Sequence, residues 1–201
     1  MLKLSDGNML NKKKNYKVVL ASNSPRRKEL LAGLGIDYEV KTLPDIDESF
    51  PGGLSEVETA TYIARAKADV YRNIMQPDEL IITADTIVWL DGEVMGKPVD
   101  EEDARRMLRA LSGKTHQVIT GVCLLTLDSQ KAFATVTDVT FCHLSEEEID
   151  YYVERYRPMD KAGSYGIQEW IGFVGVESIS GSYFNVMGLT IQRLYTELKK
   201  L

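Results

Sequence analysis

Residues 20–31, Leu-Ala-Ser-Asn-Ser-Pro-Arg-Arg-Lys-Glu-Leu-Leu, press a strand, a tight turn and a helix into a dozen positions. The apolar run at 18–21 reads as a short buried strand. Ser24 has the character of an N-cap, and Pro25 suits the first helical position, where its missing N–H is no loss. The helix then begins with Arg26, Arg27 and Lys28, three cations on a turn whose unpaired amides and macrodipole are already positive. When exposed, each is unfavourable there by roughly 0.3–1 kcal/mol relative to a neutral residue. A bound anion reverses the sign: the amides, the hydroxyls of Ser22 and Ser24 and two forked guanidiniums together suit a phosphate chain. The competing reading is a solvated basic turn whose repulsion salt screens.

The rest of the composition confines any such site to a local cluster. With 24 Lys and Arg against 30 Asp and Glu, the net charge is −6, which excludes a broad footprint on nucleic acid. No apolar run is long enough to span a membrane, and 18–21 is too short for the core of a signal peptide, so the expected location is the cytoplasm. At 201 residues the chain reads as a polar N-terminal extension, 1–16, and one α/β domain, 17–201. Cys123 and Cys142 lack metal or redox spacing and read as buried thiols; His116 and His143 read as lone strand residues.

In order along the chain, residues 37–40 suggest a second short strand, followed by an acidic loop at 44–53 in which Glu48 is the candidate ligand for a hard divalent cation. Ser55 with Glu58 forms a capping box, and the helix it opens carries Lys67 inside its apolar stripe. A lysine there either snorkels or faces a partner in a cleft. Residues 80–85 form a buried strand that ends in Asp85, at the carboxyl end where open α/β sheets gather ligands; a turn-forming aspartate is the alternative. Residues 86–90 continue it into an Asp91-Gly92 hairpin, and counting back from that turn sets Thr86 opposite Lys97.

Asp100 with Asp103 caps the next helix, which closes at Gly113 with Arg105, Arg106 and Arg109 on a solvated face. Two long strands follow, 115–127 and 131–143, then a helix from the Ser145–Glu148 capping box. The glycine-punctuated loop 160–168 ends in Gln168, whose amide can both give and take a hydrogen bond at the edge of uracil or thymine. The final helix is expected to be capped by Thr190.

In that order, Leu-Ala-Ser-x-Ser-Pro-Arg-Arg, the Lys67 helix, Ala84-Asp85-Thr86-Ile87-Val88, Gly96-Lys97-Pro98, the segment from Ala162 to Gln168 and Asn185-Val186-Met187-Gly188-Leu189 resemble the signature of the Maf family of nucleoside triphosphate pyrophosphatases. The resemblance implies an elongated mixed α/β sheet flanked by helices, with two lobes around a cleft, as in inosine triphosphate pyrophosphatases. It implies hydrolysis of the α–β anhydride with Mg2+ or Mn2+, and a homodimer. Carried over by position, Ser22, Arg26, Lys67 and Lys97 clamp the triphosphate, and Asp85 is the general base and a candidate metal ligand; Glu48 joins it as the metal candidate read from the acidic loop, not from the family pattern. Arg27, Thr86 and Gln168 match the branch acting on dTTP and UTP. The alternatives are a pyrophosphatase for modified nucleotides such as 7-methyl-GTP, and a non-catalytic nucleotide-binding regulator of septation. Two features depart from the pattern: Thr190, where the family usually has proline, and the N-terminal extension.

Overall fold

Apolar alternation punctuated by turn residues builds seven strands, seven α-helices and one 3-10 turn (Ala162–Ser164) among residues 16–201, the part that the computed structural model describes. They are β1 (Lys17–Leu20), α1 (Pro25–Ala32), β2 (Tyr38–Val40), α2 (Glu56–Asp69), β3 (Glu79–Leu90), β4 (Glu93–Met95), α3 (Glu101–Leu111), β5 (Thr115–Leu125), β6 (Gln130–Phe141), α4 (Glu146–Tyr156), α5 (Trp170–Val174), β7 (Val176–Ser180), α6 (Tyr183–Met187) and α7 (Ile191–Leu198). The extension expected at 1–16 lies outside the described residues, except for Tyr16, which is buried.

The sheet runs in the order β2-β1-β3-β5-β6-β7, with β4 paired to β3. β1 is parallel to β2 and β3, whereas β3–β4 and β6–β7 are antiparallel, giving the mixed α/β sheet expected. Two compact units divide the chain. One holds the residues up to Asp85, Thr120–Thr135 and Gly188–Leu201; the other holds Thr86–Ile119 and Val136–Met187. The division falls inside β3, immediately after Asp85.

In the first unit, Val19, Ala64, Ala68, Tyr71, Ile81 and Cys123 share a core. Helix α2 opens with both halves of the Ser55–Glu58 capping box in place. It lies so close to the sheet that a Cβ on Gly121 would stand 2.2 Å from the Ala60 carbonyl oxygen, so only glycine fits there. The Thr83 hydroxyl donates to the Ala64 carbonyl at 2.6 Å, one helical turn before Lys67. The Tyr71 hydroxyl donates to Lys41 O at 3.0 Å and accepts from Leu43 N at 3.2 Å, which anchors the start of the acidic loop. Thr190 precedes α7 but makes no cap bond; its hydroxyl is instead engaged by Thr135 Oγ1 at 2.7 Å.

In the second unit, Val88, Leu108, Phe141, Tyr152, Val153 and Ile171 are packed together. Asp91 and Gly92 both have positive φ, 52° and 92°, the geometry of a two-residue hairpin with Leu90 facing Glu93. The β3–β4 ladder stops at Met95, so the pairing counted from the turn ends before Lys97. Of the arginines expected on the solvated face of α3, Arg105 is largely covered: it reaches Asp150, one turn into α4, at 2.7 Å. Cys142 is half-buried and donates to Val174 O, and His143 falls just past β6 rather than within it.

His116, fully enclosed, touches the Tyr165 hydroxyl with Nε2 at 2.7 Å and stands edge-on to the rings of Phe141 and Tyr165. Burial pushes its pKa down from 6.5 to about 4. Between those values the unfolded chain binds the proton and the folded one does not, so stability rises with pH across that window. The contribution, on the order of 3 kcal/mol, is present above pH 6.5 and lost as pH falls towards 4. His116→Gln should flatten this part of a stability–pH curve measured by urea unfolding.

Candidate active site

The turn after β1 is built as a donor array. Ser22 is buried, and its Oγ accepts from Ser24 N at 3.2 Å and from Arg27 Nη1 at 3.4 Å. Ser24 caps α1 by accepting from Arg27 N at 3.5 Å, with Pro25 next in the helix, as the sequence requires. No acidic residue stands in that first turn. Arg27 does more than carry charge: its Nε donates to Gly188 O at 2.8 Å, tying the helix start to the backbone that precedes α7. Burial pushes the Arg27 pKa down; the Asp85 and Glu48 carboxylates oppose that, and Arg26 adds to it. A guanidinium stays charged through such a shift, so Arg27 acts in the field of Asp85, Glu48 and Arg26.

Lys67 resolves the choice between snorkelling and facing a partner. Its Nζ sits 2.6 Å from Asp85 Oδ1 and 2.8 Å from Glu48 Oε1, with the Lys67 and Asp85 side chains each only 12% exposed. Two carboxylates from separate segments, the acidic loop and β3, therefore converge on one ammonium. Arg65, two positions earlier on α2, is exposed.

The remaining candidates belong to the second unit. Thr86 is half-buried on β3. Lys97 is exposed in the Gly96-Lys97-Pro98 turn, which is pinned by a 3.0 Å bond from Gly163 N to Gly96 O. Gly163, at φ 65°, is pressed against Val88, so that a Cβ there would lie 2.9 Å from its methyl carbon. Gln168 is half-buried, and its side-chain Oε1 is enclosed without a hydrogen bond among the described residues. Leaving a buried acceptor unmade costs about 1–3 kcal/mol, so a donor that reached this oxygen would gain that much.

The family described as Maf-like protein matches residues 17–201. The chain belongs to the Maf family. It is 72% identical to a protein of Phocaeicola vulgatus and 65% identical to one of Bacteroides thetaiotaomicron, in both cases over 96% of this chain and 100% of the relative. A Flavobacterium psychrophilum protein is 48% identical over 94% of this chain and 97% of its own length. All three relatives bear the name dTTP/UTP pyrophosphatase. Among solved structures, the chain is similar to a HAM1 protein from Coxiella burnetii, with a TM-score of 0.46 and 17% identity over 92% of this chain and 100% of that one.

The donor chemistry of this Maf chain fits a hard divalent cation at Glu48 and Asp85. Both are carboxylates already gathered around a positive charge, and Mg2+ is commonly held by one or two carboxylates with substrate phosphates and water completing the shell. Among the described residues no group of three His, Cys, Asp or Glu could hold a metal, so phosphate oxygens would have to supply part of the coordination. Sequence reasoning missed the Glu48–Lys67 contact, because spacing says nothing about where a loop folds back. It also missed the network around Lys161, which is buried, and Glu169, for which a lysine beside a glycine-rich turn was the available signal. No helix among the described residues is long and apolar enough to cross a membrane.

Proposed function

We propose that this Maf chain hydrolyses dTTP and UTP to the monophosphate and pyrophosphate, using Mg2+ or Mn2+ and acting on the free nucleotide pool of the cytoplasm. The observation that carries the reading is the Lys67 ammonium held between Asp85 and Glu48, in the electrostatic field of the basic start of α1. The shared name of the relatives at 65–72% identity over their full length supports the substrate assignment.

In this mechanism the amides at the start of α1, the Ser22 hydroxyl, Arg26, Lys67 and Lys97 bind the triphosphate and offset its charge. Asp85 orients a water and takes its proton as the oxygen bonds to the α-phosphorus. The α–β bridging P–O bond breaks, and the electron pair leaves with pyrophosphate, whose growing charge the cations stabilise. A divalent cation held by Glu48 and Asp85 would add Lewis-acid neutralisation of the phosphate oxygens. Gln168 reads the acceptor–donor–acceptor edge of the base, with Arg27 and Thr86 supporting that choice.

Pyrophosphate release from dTTP, UTP, CTP, GTP, ITP and 7-methyl-GTP with Mg2+ tests the reading. dTTP and UTP should lead by at least tenfold in kcat/KM. Gln168→Glu should erase that lead, because the carboxylate cannot donate to a carbonyl of the base. Unchanged base preference in the variant would remove Gln168 from the role, and a lead for 7-methyl-GTP would reassign the substrate.

A further inference from the structure

A second polar cluster lies wholly within the second unit and takes no part in the phosphate chemistry. Lys161 is buried, its side chain 8% exposed, and its ammonium is shared between Glu169 Oε1 at 3.1 Å and Asp160 Oδ1 at 2.7 Å. The other oxygen of Glu169 accepts from the Tyr152 hydroxyl, which in turn accepts from Gly166 N at 3.0 Å. The Glu169 amide donates to Gly166 O at 2.9 Å, closing the turn 166–169. Gln168 therefore stands inside a turn fixed at both ends by one connected set of bonds.

The residues flanking Gln168 explain why that matters. A Cβ on Gly166 would fall 2.9 Å from Gln168 Nε2 and 2.9 Å from Glu169 Cδ, so the Gln168 amide nitrogen is folded against the backbone that Tyr152 holds. Its Oε1 is the enclosed acceptor with no bond among the described residues. Burial, reinforced by the Glu169 carboxylate, raises the Tyr152 pKa, so the phenol keeps the proton that it gives to Glu169. A turn whose backbone is held this way limits the positions that the Gln168 carboxamide can take, and a site built to pair with a polar edge discriminates by such placement.

We propose that Tyr152, Glu169 and Lys161 are positioning residues that hold the Gln168 carboxamide for the pyrimidine edge and thereby set base selectivity. The inference rests on the proposed role of Gln168 and goes beyond it by assigning the groups that aim it. Lys161 fixes the carboxylate, the carboxylate fixes the phenol, and the phenol fixes the backbone under the amide.

The test compares wild type, Tyr152→Phe and Glu169→Gln by kcat/KM for UTP, dTTP and GTP, with the Gln168 side-chain NH2 resonances followed by 15N NMR. Tyr152→Phe removes one oxygen and with it both bonds that the hydroxyl makes. It should lower the UTP-to-GTP ratio of kcat/KM at least tenfold, mainly through a raised KM for UTP, and broaden or shift the Gln168 resonances. Glu169→Gln keeps an acceptor for Tyr152 and should restore part of the ratio; it also serves if Tyr152→Phe does not fold. A ratio within twofold of wild type in the folded variants, with turnover of all nucleotides reduced alike, overturns the inference and leaves the reading of Gln168 standing. A wild type with no preference for UTP and dTTP over GTP overturns both.

Discussion

Replacing Asp85 with asparagine should reduce kcat/KM for dTTP and UTP by about 10³–10⁴-fold, the upper range for loss of a general base. The substitution is close to isosteric, and Asp85 is buried within β3, with Ala84 before it and Ile87 two positions on also buried, so the backbone has little reason to move. What changes is charge: the amide cannot take a proton from water, and it gives a cation a weaker ligand. It also no longer repels phosphate oxygens, so nucleotide binding without metal should hold or tighten. That combination separates an enzyme from a binder. Rates measured as pyrophosphate release, with dTTP affinity from calorimetry in EDTA, check it. A variant that keeps a tenth or more of wild-type turnover would exclude Asp85 as the base, and a wild type that binds dTTP without turning it over would favour the regulator reading.

Much of the fold could be read along the chain because local signals agreed with the tertiary outcome. Ser24-Pro25, Ser55–Glu58, Asp100–Asp103 and Ser145–Glu148 all stand at helix starts, where a side chain accepts from an amide two or three residues on. Asp91-Gly92 sets its hairpin register because both positions need positive φ. The failures are tertiary. Thr190 has the right chemistry for a cap, but Thr135 competes for its hydroxyl. Arg105 has the position of an exposed residue on α3, but Asp150 of α4 pairs with it and leaves it largely covered. Lys67 and Asp85 could be singled out one at a time, as a charge in an apolar stripe and a carboxylate in a buried strand. Their pairing, with Glu48 as the third member, depends on how α2 lies against β3 and where the acidic loop returns, which no periodicity encodes.

That pairing makes Lys67→Met the most informative charge deletion. In wild type the ammonium occupies the space between two carboxylates; in the proposed mechanism a divalent cation would compete with it there until Lys67 turned to a bound triphosphate. Removing Lys67 leaves the mostly buried Asp85 carboxylate without its ion-pair partner and with the field of Arg27 as the remaining offset, a loss of at most about 3–5 kcal/mol, the cost when one partner of a buried pair is deleted. Glu48, about half exposed, adds less, because solvent screens it. The variant should therefore melt several degrees below wild type in EDTA and recover much of the difference in millimolar Mg2+, since a ligand that binds only the folded state raises its stability. Mn2+ affinity without nucleotide, read by electron paramagnetic resonance, should increase at least tenfold. Turnover should move the other way, falling about 10²–10³-fold, as for loss of one preorganised donor to a developing charge. The opposite signs are the decisive feature. A lysine that merely filled space would weaken stability without tightening Mn2+, and one that only bound phosphate would lower turnover without making the melting temperature depend on Mg2+.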